Sequence, residues 1–261
     1  MKILRTFIEA ILVAFAMIPS VSATSFSTNF SDIWATRGES GWAVNITMQS
    51  SAMFASWFVY GTDHKPVWYS ATLEFTGMST TGDLIFAGDL FETNGPWSGG
   101  PYDATQLTYR KVGVARFTTH LIESALLEYS VDGVNVAKQI ERFTLRNDDL
   151  SGDYLGGTSD VTTGCVSPSD NTVYTDGAGK ITISQTGANV SIQTDSCTFA
   201  GTYSQTGQVG AIAGNYSCQG GTSGPFTMFD IRVETSGITG RYLLRNQLCS
   251  RDGNFGGARL K

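Results

Sequence analysis

The sequence predicts an all-β protein of two tandem antiparallel up-and-down barrels, each of about eight strands, behind a signal peptide. Three observations carry this. Short runs of strand-forming residues recur between turn-forming clusters along the whole chain, and no amphipathic helix interrupts them. Charged residues make up only 15% of the chain while Gly, Ser and Thr abound, which favours strands and turns. The two halves also differ in composition: the tryptophans Trp34, Trp42, Trp57, Trp68 and Trp97 all precede residue 100, whereas Cys165, Cys197, Cys218 and Cys249 and 19 of the 30 glycines follow residue 150. That contrast divides the chain into residues 1–23, 24–146 and 147–261.

Residues 1–23 read as an export signal. Lys2 and Arg5 form a basic start, Ala10 to Ile18 is apolar, and Val21-Ser22-Ala23 offers small residues for cleavage. The apolar run falls short of the roughly 20 residues of a spanning helix, so the mature chain is expected to carry no transmembrane segment. A retained anchor is the alternative. No cysteine follows the cleavage site to accept a lipid. Removing this segment takes the net charge from -6 to -7. An acidic chain without a Lys/Arg cluster lacks the footprint of a nucleic-acid binder. The expected location is periplasmic or extracellular.

In the first half, Asp32 to Thr36 reads as a strand carrying Trp34, and Arg37 to Gly41 as a turn. Trp42, Val44 and Ile46 then alternate with Ala43, Asn45 and Thr47. Met53 to Tyr60 is apolar on both faces, which predicts a strand covered on both sides. Gly61 to Pro66 is a hairpin loop. Further strands are expected over Val67–Phe75, Leu84–Glu92, Thr108–Thr118, Ser124–Ser130 and Val134–Phe143, with Asp132-Gly133 suited to a type I′ turn. The connection from Thr93 to Gln106 holds two prolines, Trp97 and Tyr102, as a lid or functional loop would.

In the second half, strands are expected over 150–158, 180–185, 189–194, 197–203, 209–218, 226–234, 238–244 and 255–260, with tight turns at Gly187 and Gly207. An exported chain with four cysteines suggests two disulfides. Without a C-x-x-C pair or a histidine near a cysteine, zinc is the weaker reading. The midpoint of Cys197 and Cys218 falls on the Gly207-Gln208 turn, placing the two opposite each other; Cys165 is left to Cys249. An outer-membrane barrel would need lipid-facing apolar bands of about 9–11 residues per strand, whereas the outward positions here are rich in Gly, Ser and Thr.

Glu39-Ser40-Gly41-Trp42, with Asn45, Gln49, Phe54, Trp57-Phe58, Tyr60, Pro66, Trp68-Tyr69, Gly95-Pro96 and Pro101-Tyr102-Asp103, resembles a module of exported bacterial proteins that often carries E-S-G-W-G, where this chain has Ala43. The likeness spans roughly residues 30 to 145 and implies no catalytic residues. More loosely, each half resembles calycin-type barrels, lipocalin-like or avidin-like, which implies room for a small ligand.

For catalysis the chain offers little. The histidines are His64, beside Asp63 in a hairpin loop, and His120, after a strand; no G-x-S-x-G elbow accompanies them, so a hydrolase ranks below a binding protein. Glu39, Asp63 and Asp103 could supply paired carboxylates, as any acidic chain could. Asn147, Asp149 and Ser151 ahead of Gly152 resemble the start of a calcium loop, but Thr158 sits where the closing glutamate belongs. The N-x-S/T sequons at Asn29, Asn45, Asn189 and Asn215 matter only in a eukaryotic secretory pathway. No cofactor or metal is expected. The aromatic residues are the better lead. The expected function is non-catalytic binding of a small molecule or glycan through Trp42, Trp68, Trp97, Tyr60, Tyr69 and Tyr102, helped by Asn45 and Glu39. Alternation puts Trp42 and Trp57 in core company and leaves Trp68 on a polar face, the first choice for contact. The alternative is an envelope module that binds another protein through loops such as Thr93–Gln106.

Overall fold

The computed structural model describes residues 28–171 and 173–261; the expected export signal lies outside them. Two closed antiparallel barrels of eight strands each follow one another along the chain, every strand paired with its sequence neighbour. The first comprises β1 (Asp32–Ala35), β2 (Ala43–Gln49), β3 (Ala52–Tyr60), β4 (Pro66–Met78), β5 (Leu84–Asn94), β6 (Thr108–Thr119), β7 (Ser124–Val131) and β8 (Val134–Arg142). The second comprises β9 (Gly152–Thr163), β10 (Tyr174–Thr186), β11 (Asn189–Gln193), β12 (Cys197–Thr206), β13 (Val209–Cys218), β14 (Ser223–Val233), β15 (Gly237–Arg245) and β16 (Ser250–Arg259). Closure leaves no open sheet edge. No helix among the described residues is long and apolar enough to cross a membrane.

The alternation read from the sequence decides what fills the first barrel. Val44 and Ile46 of β2, Met53, Ala55 and Trp57 of β3, and Phe86, Phe117 and Leu127 from later strands are buried inside it. Trp34 and Phe117 meet edge to face at 5.2 Å. An eight-stranded barrel is just wide enough for such side chains to fill it. Asp132 and Gly133 both take positive φ (48° and 85°), as the expected I′ turn requires. The expectation that β3 is covered on both sides is overturned. Its second face, with Phe54, Phe58 and Tyr60, lies exposed on the outer wall, where nothing among the described residues covers it.

Arg142, at the end of β8, is fully buried at the base of the first barrel. Its guanidinium donates to Asp32 Oδ2 (3.0 Å), to the carbonyl of Ile122 (2.7 Å) and to that of Asn29 (2.8 Å), and lies 4.9 Å from the Trp34 ring. Burial pulls its pKa below the ordinary guanidinium value, and the Asp32 carboxylate opposes that pull. The second barrel docks here through its β12–β13 turn: the Gln208 amide donates to Asp32 Oδ2 (2.9 Å) and the Gly207 amide to Thr144 Oγ1 (2.7 Å). Gly207 has φ +61°, and a Cβ there would overlap both Asp32 and Arg142, so only glycine fits.

In the second barrel, disulfides join Cys197 to Cys218 and Cys165 to Cys249, the expected pairs. Cys197 and Cys218 face each other in the β12–β13 ladder. Strand β10 begins at Tyr174, ahead of the expected 180, and its first half pairs with β9 as far as Val161.

Candidate functional site

Trp68 sits opposite Phe58 on the outer wall, their ring centroids 4.2 Å apart in an edge-to-face pair, and Trp68 is 55% exposed. The ladder registers extend this pair into a surface. Ser56 faces Ser70 across β3 and β4, Asn45 faces Ser56 from β2, and Phe91 faces Ser70 from β5. Phe91 meets Tyr109 of β6 edge to face at 6.2 Å, and Tyr109 is 74% exposed. Tyr60, 61% exposed, lies against Gly41 and closes the patch at the β3 end. Exposed rings thus border a strip of amide and hydroxyl groups, Asn45, Ser56 and Ser70. Trp97 and Tyr102 protrude from the β5–β6 connection, each at least 75% exposed. The Trp97 ring rests on the backbone of Gly99 and Gly100, and Asp103 anchors the loop by accepting from the Thr105 amide (3.0 Å) and hydroxyl (2.6 Å) and from Gln106 Nε2 (3.0 Å).

The remaining expected site residues fall elsewhere. Tyr69 neighbours Trp68 in sequence and therefore faces inward, opposite Trp57, where burial and then the Glu92 carboxylate raise its pKa. Trp42 packs against the first barrel's core, and its indole donates to Glu39 Oε2 (3.0 Å). Lys138 Nζ donates to the same carboxylate (2.7 Å), and these two donors, Lys138 first, hold Glu39 below its ordinary pKa. Glu39 and Trp42 line an open groove of about 630 Å³ between the barrels, walled also by Phe143, Leu145 and Gln205. Of the eight residues expected to bind ligand, Trp68, Tyr60 and Asn45 share one wall; Trp97 and Tyr102 stand on the adjoining loop; Trp42, Tyr69 and Glu39 belong to a core or rim.

Phe54, Phe58, Phe91 and Tyr109 complete the patch and were not anticipated as site residues. The signal was present for Phe54 and Phe58, which alternate with buried residues along β3. For Phe91 and Tyr109 the register across β5 and β6 was needed.

Of the groups weighed for catalysis, His64 takes a positive φ of 63° in its hairpin loop. His120 Nδ1 lies 4.0 Å from Asp83 Oδ2 on an exposed turn, beyond hydrogen-bond reach. Asp63 accepts from the Lys65 amide (3.1 Å), Asp103 caps its loop, and Glu39 is engaged by Trp42 and by Lys138 of β8. Asp149 likewise accepts from the Ser151 amide (2.9 Å) in the linker. Among the described residues no group of three His, Cys, Asp or Glu side chains converges as a metal site would require.

Compared with known proteins, the chain matches no family model, no curated protein and no solved structure.

Proposed function

We propose that this protein is an exported, non-catalytic glycan-binding protein, and that sugars lie along the outer wall of the first barrel. The observation that carries the reading is the Phe58–Trp68 pair with its exposed neighbours Tyr60 and Tyr109 and the half-buried Phe91 around the polar strip Asn45, Ser56 and Ser70. Aromatic rings take the apolar faces of sugar rings, and the amide and hydroxyls take their edges. An open wall suits an extended chain better than an enclosed small molecule, and the interior of this barrel is occupied by its own side chains. Exposed apolar patches of this kind mark interaction surfaces. Two disulfides fit the oxidising compartment that an exported protein reaches. The same likeness to modules of exported bacterial proteins supports the location.

Titration of tryptophan fluorescence with soluble glucans, xylans, chitin oligomers and peptidoglycan fragments tests the proposal. At least one should shift the emission, and Trp68→Ala or Phe58→Ala should weaken that binding about tenfold or more. No response across the panel would overturn it. The second reading, a protein partner in the envelope, is favoured by Trp97 and Tyr102, which project beyond the wall on an anchored loop. Trp97→Ala should then abolish a capture that Trp68→Ala leaves intact.

A further inference from the structure

The second barrel is not filled to its ends. At the end away from the Gly207 turn lies a cavity of about 270 Å³. Gly177 and Gly179 of β10 line it without a side chain to occupy the bore, and Gly156 of β9 lines it where the β16 backbone comes close. Ile192, Phe199, Met228, Ile238, Leu244 and Phe255 give it an apolar part, and Thr158, Lys180, Thr194, Asp195 and Ser196 line it as well. One buried polar constellation stands among them. Asp160, 5% exposed, accepts from Arg251 Nε (2.9 Å) and Nη2 (3.0 Å) on one side and from the Tyr242 hydroxyl on the other. Those three donors engage both carboxylate oxygens. The Arg251 guanidinium is more than one donor pair wide, and its Nη1 edge makes no hydrogen bond within the described residues. Arg251 lines the cavity, and its side chain is 38% exposed.

The geometry points to a binding site in the second barrel for a small monocarboxylate with an apolar body, its carboxylate on the Arg251 Nη1 edge and its body against Phe199, Met228 and Phe255. The ion pair with Asp160 holds the guanidinium plane, and an acceptor on the free edge adds a charge-assisted hydrogen bond without displacing it. Size sets the body. A dry apolar cavity of about 150 Å³ holds benzene, so this one takes roughly ten non-hydrogen atoms. The site is independent of the aromatic wall: it lies in the other barrel and uses none of its residues.

Isothermal titration calorimetry with octanoate, and with octan-1-ol as the neutral match, tests this on the full chain. Octanoate should bind saturably at one site and octan-1-ol roughly tenfold or more weakly, since it lacks the charged acceptor. Arg251→Lys keeps a cation beside Asp160 but lacks the second edge, and should remove most of the preference for octanoate. Gly177→Phe should abolish binding of both probes. A Cβ at Gly177 meets only Thr158 Oγ1, at 3.4 Å, and its φ is not in the left-handed region, so the variant is expected to fold, as a thermal melt would verify. Trp68→Ala should change nothing. Equal affinity for the two probes, binding that survives Gly177→Phe, or no binding at all overturns the assignment.

Discussion

The two barrels share strand number and connectivity, yet one is solid and the other hollow at one end. The first is packed with Trp34, Trp57, Phe86 and Phe117 and carries no cross-link; the second lines one end of its bore with Gly156, Gly177 and Gly179 and is held by two disulfides. Strand count sets how wide a barrel is, but the residues at inward positions decide whether the width becomes core or cavity. The difference also allocates stability. Large buried rings supply the first barrel with its apolar area. A Gly-rich barrel buries less, and cross-links compensate by restricting the unfolded chain. Function is allocated by the same choice. A filled barrel can offer a ligand only its outer surface, whereas a hollow one can offer its mouth.

The largest effect expected from breaking this contrast comes from the cysteines. Replacing Cys165 and Cys249 by alanine opens a loop of 84 residues and should cost the second barrel about 4–5 kcal/mol, against about 3 for Cys197 and Cys218 with their separation of 21. All the tryptophans lie in the first half, so their fluorescence should report an unchanged first transition while far-ultraviolet circular dichroism shows the second moving down. A fluorescence midpoint that falls in step with the second barrel would contradict this independence.

A smaller effect separates two fully buried tryptophans of the solid barrel. Trp34 Nε1 donates to the Phe30 carbonyl (3.0 Å), and its ring lies against Arg142, whereas Trp57 Nε1 has no hydrogen-bond partner among the described residues. Trp34→Phe should cost about 3 kcal/mol through lost volume, hydrogen bond and guanidinium contact. Trp57→Phe should cost about 1 kcal/mol less or better, because it also removes a buried orphan donor. Urea denaturation of the two variants, followed by circular dichroism, gives the comparison directly, and equal losses would show that the hydrogen bond contributes nothing.

The smallest effect is alkaline. Burial pushes the Tyr203 and Tyr242 hydroxyls well above the ordinary phenol value, and the hydrogen bond to Asp160 pushes Tyr242 the same way. Above pH about 10 the unfolded chain releases these protons while the folded barrel retains them, so stability is intact below that pH and declines as pH rises further. Tyr242→Phe should flatten the decline in the second barrel's melting temperature, and an unaltered slope would remove Tyr242 as its source.

Much of this was legible from residue order. Period-two alternation separated Trp57 from Trp68, Asp132-Gly133 announced its hairpin, and the turn at Gly207 paired Cys197 with Cys218. What stayed hidden depended on what lies beyond a strand. Two apolar faces on β3 read as double burial, and only the closed barrel, uncovered on that side by any described residue, reveals Phe54 and Phe58 as exposed surface. The start of β10, YTDGAG, has loop composition and becomes strand through its pairing with β9. Asp160, Tyr242 and Arg251 are separated by 82 and 91 positions, and no local pattern joins residues so distant. Arg142 looks like an ordinary end-of-strand charge until the base of the barrel closes over it.

The Asp32 carboxylate also ties the start of the chain to its later half. A chain emerging N-terminus first can complete the first barrel once Arg142 is available, and Asp32 then has its ion pair but lacks the Gln208 amide, 176 residues away in sequence. Each barrel closes within its own span, so the contact that aligns them forms late, after the second meander has turned at Gly207. The Asp32 carboxylate thus joins the two barrels through a contact that neither can make alone.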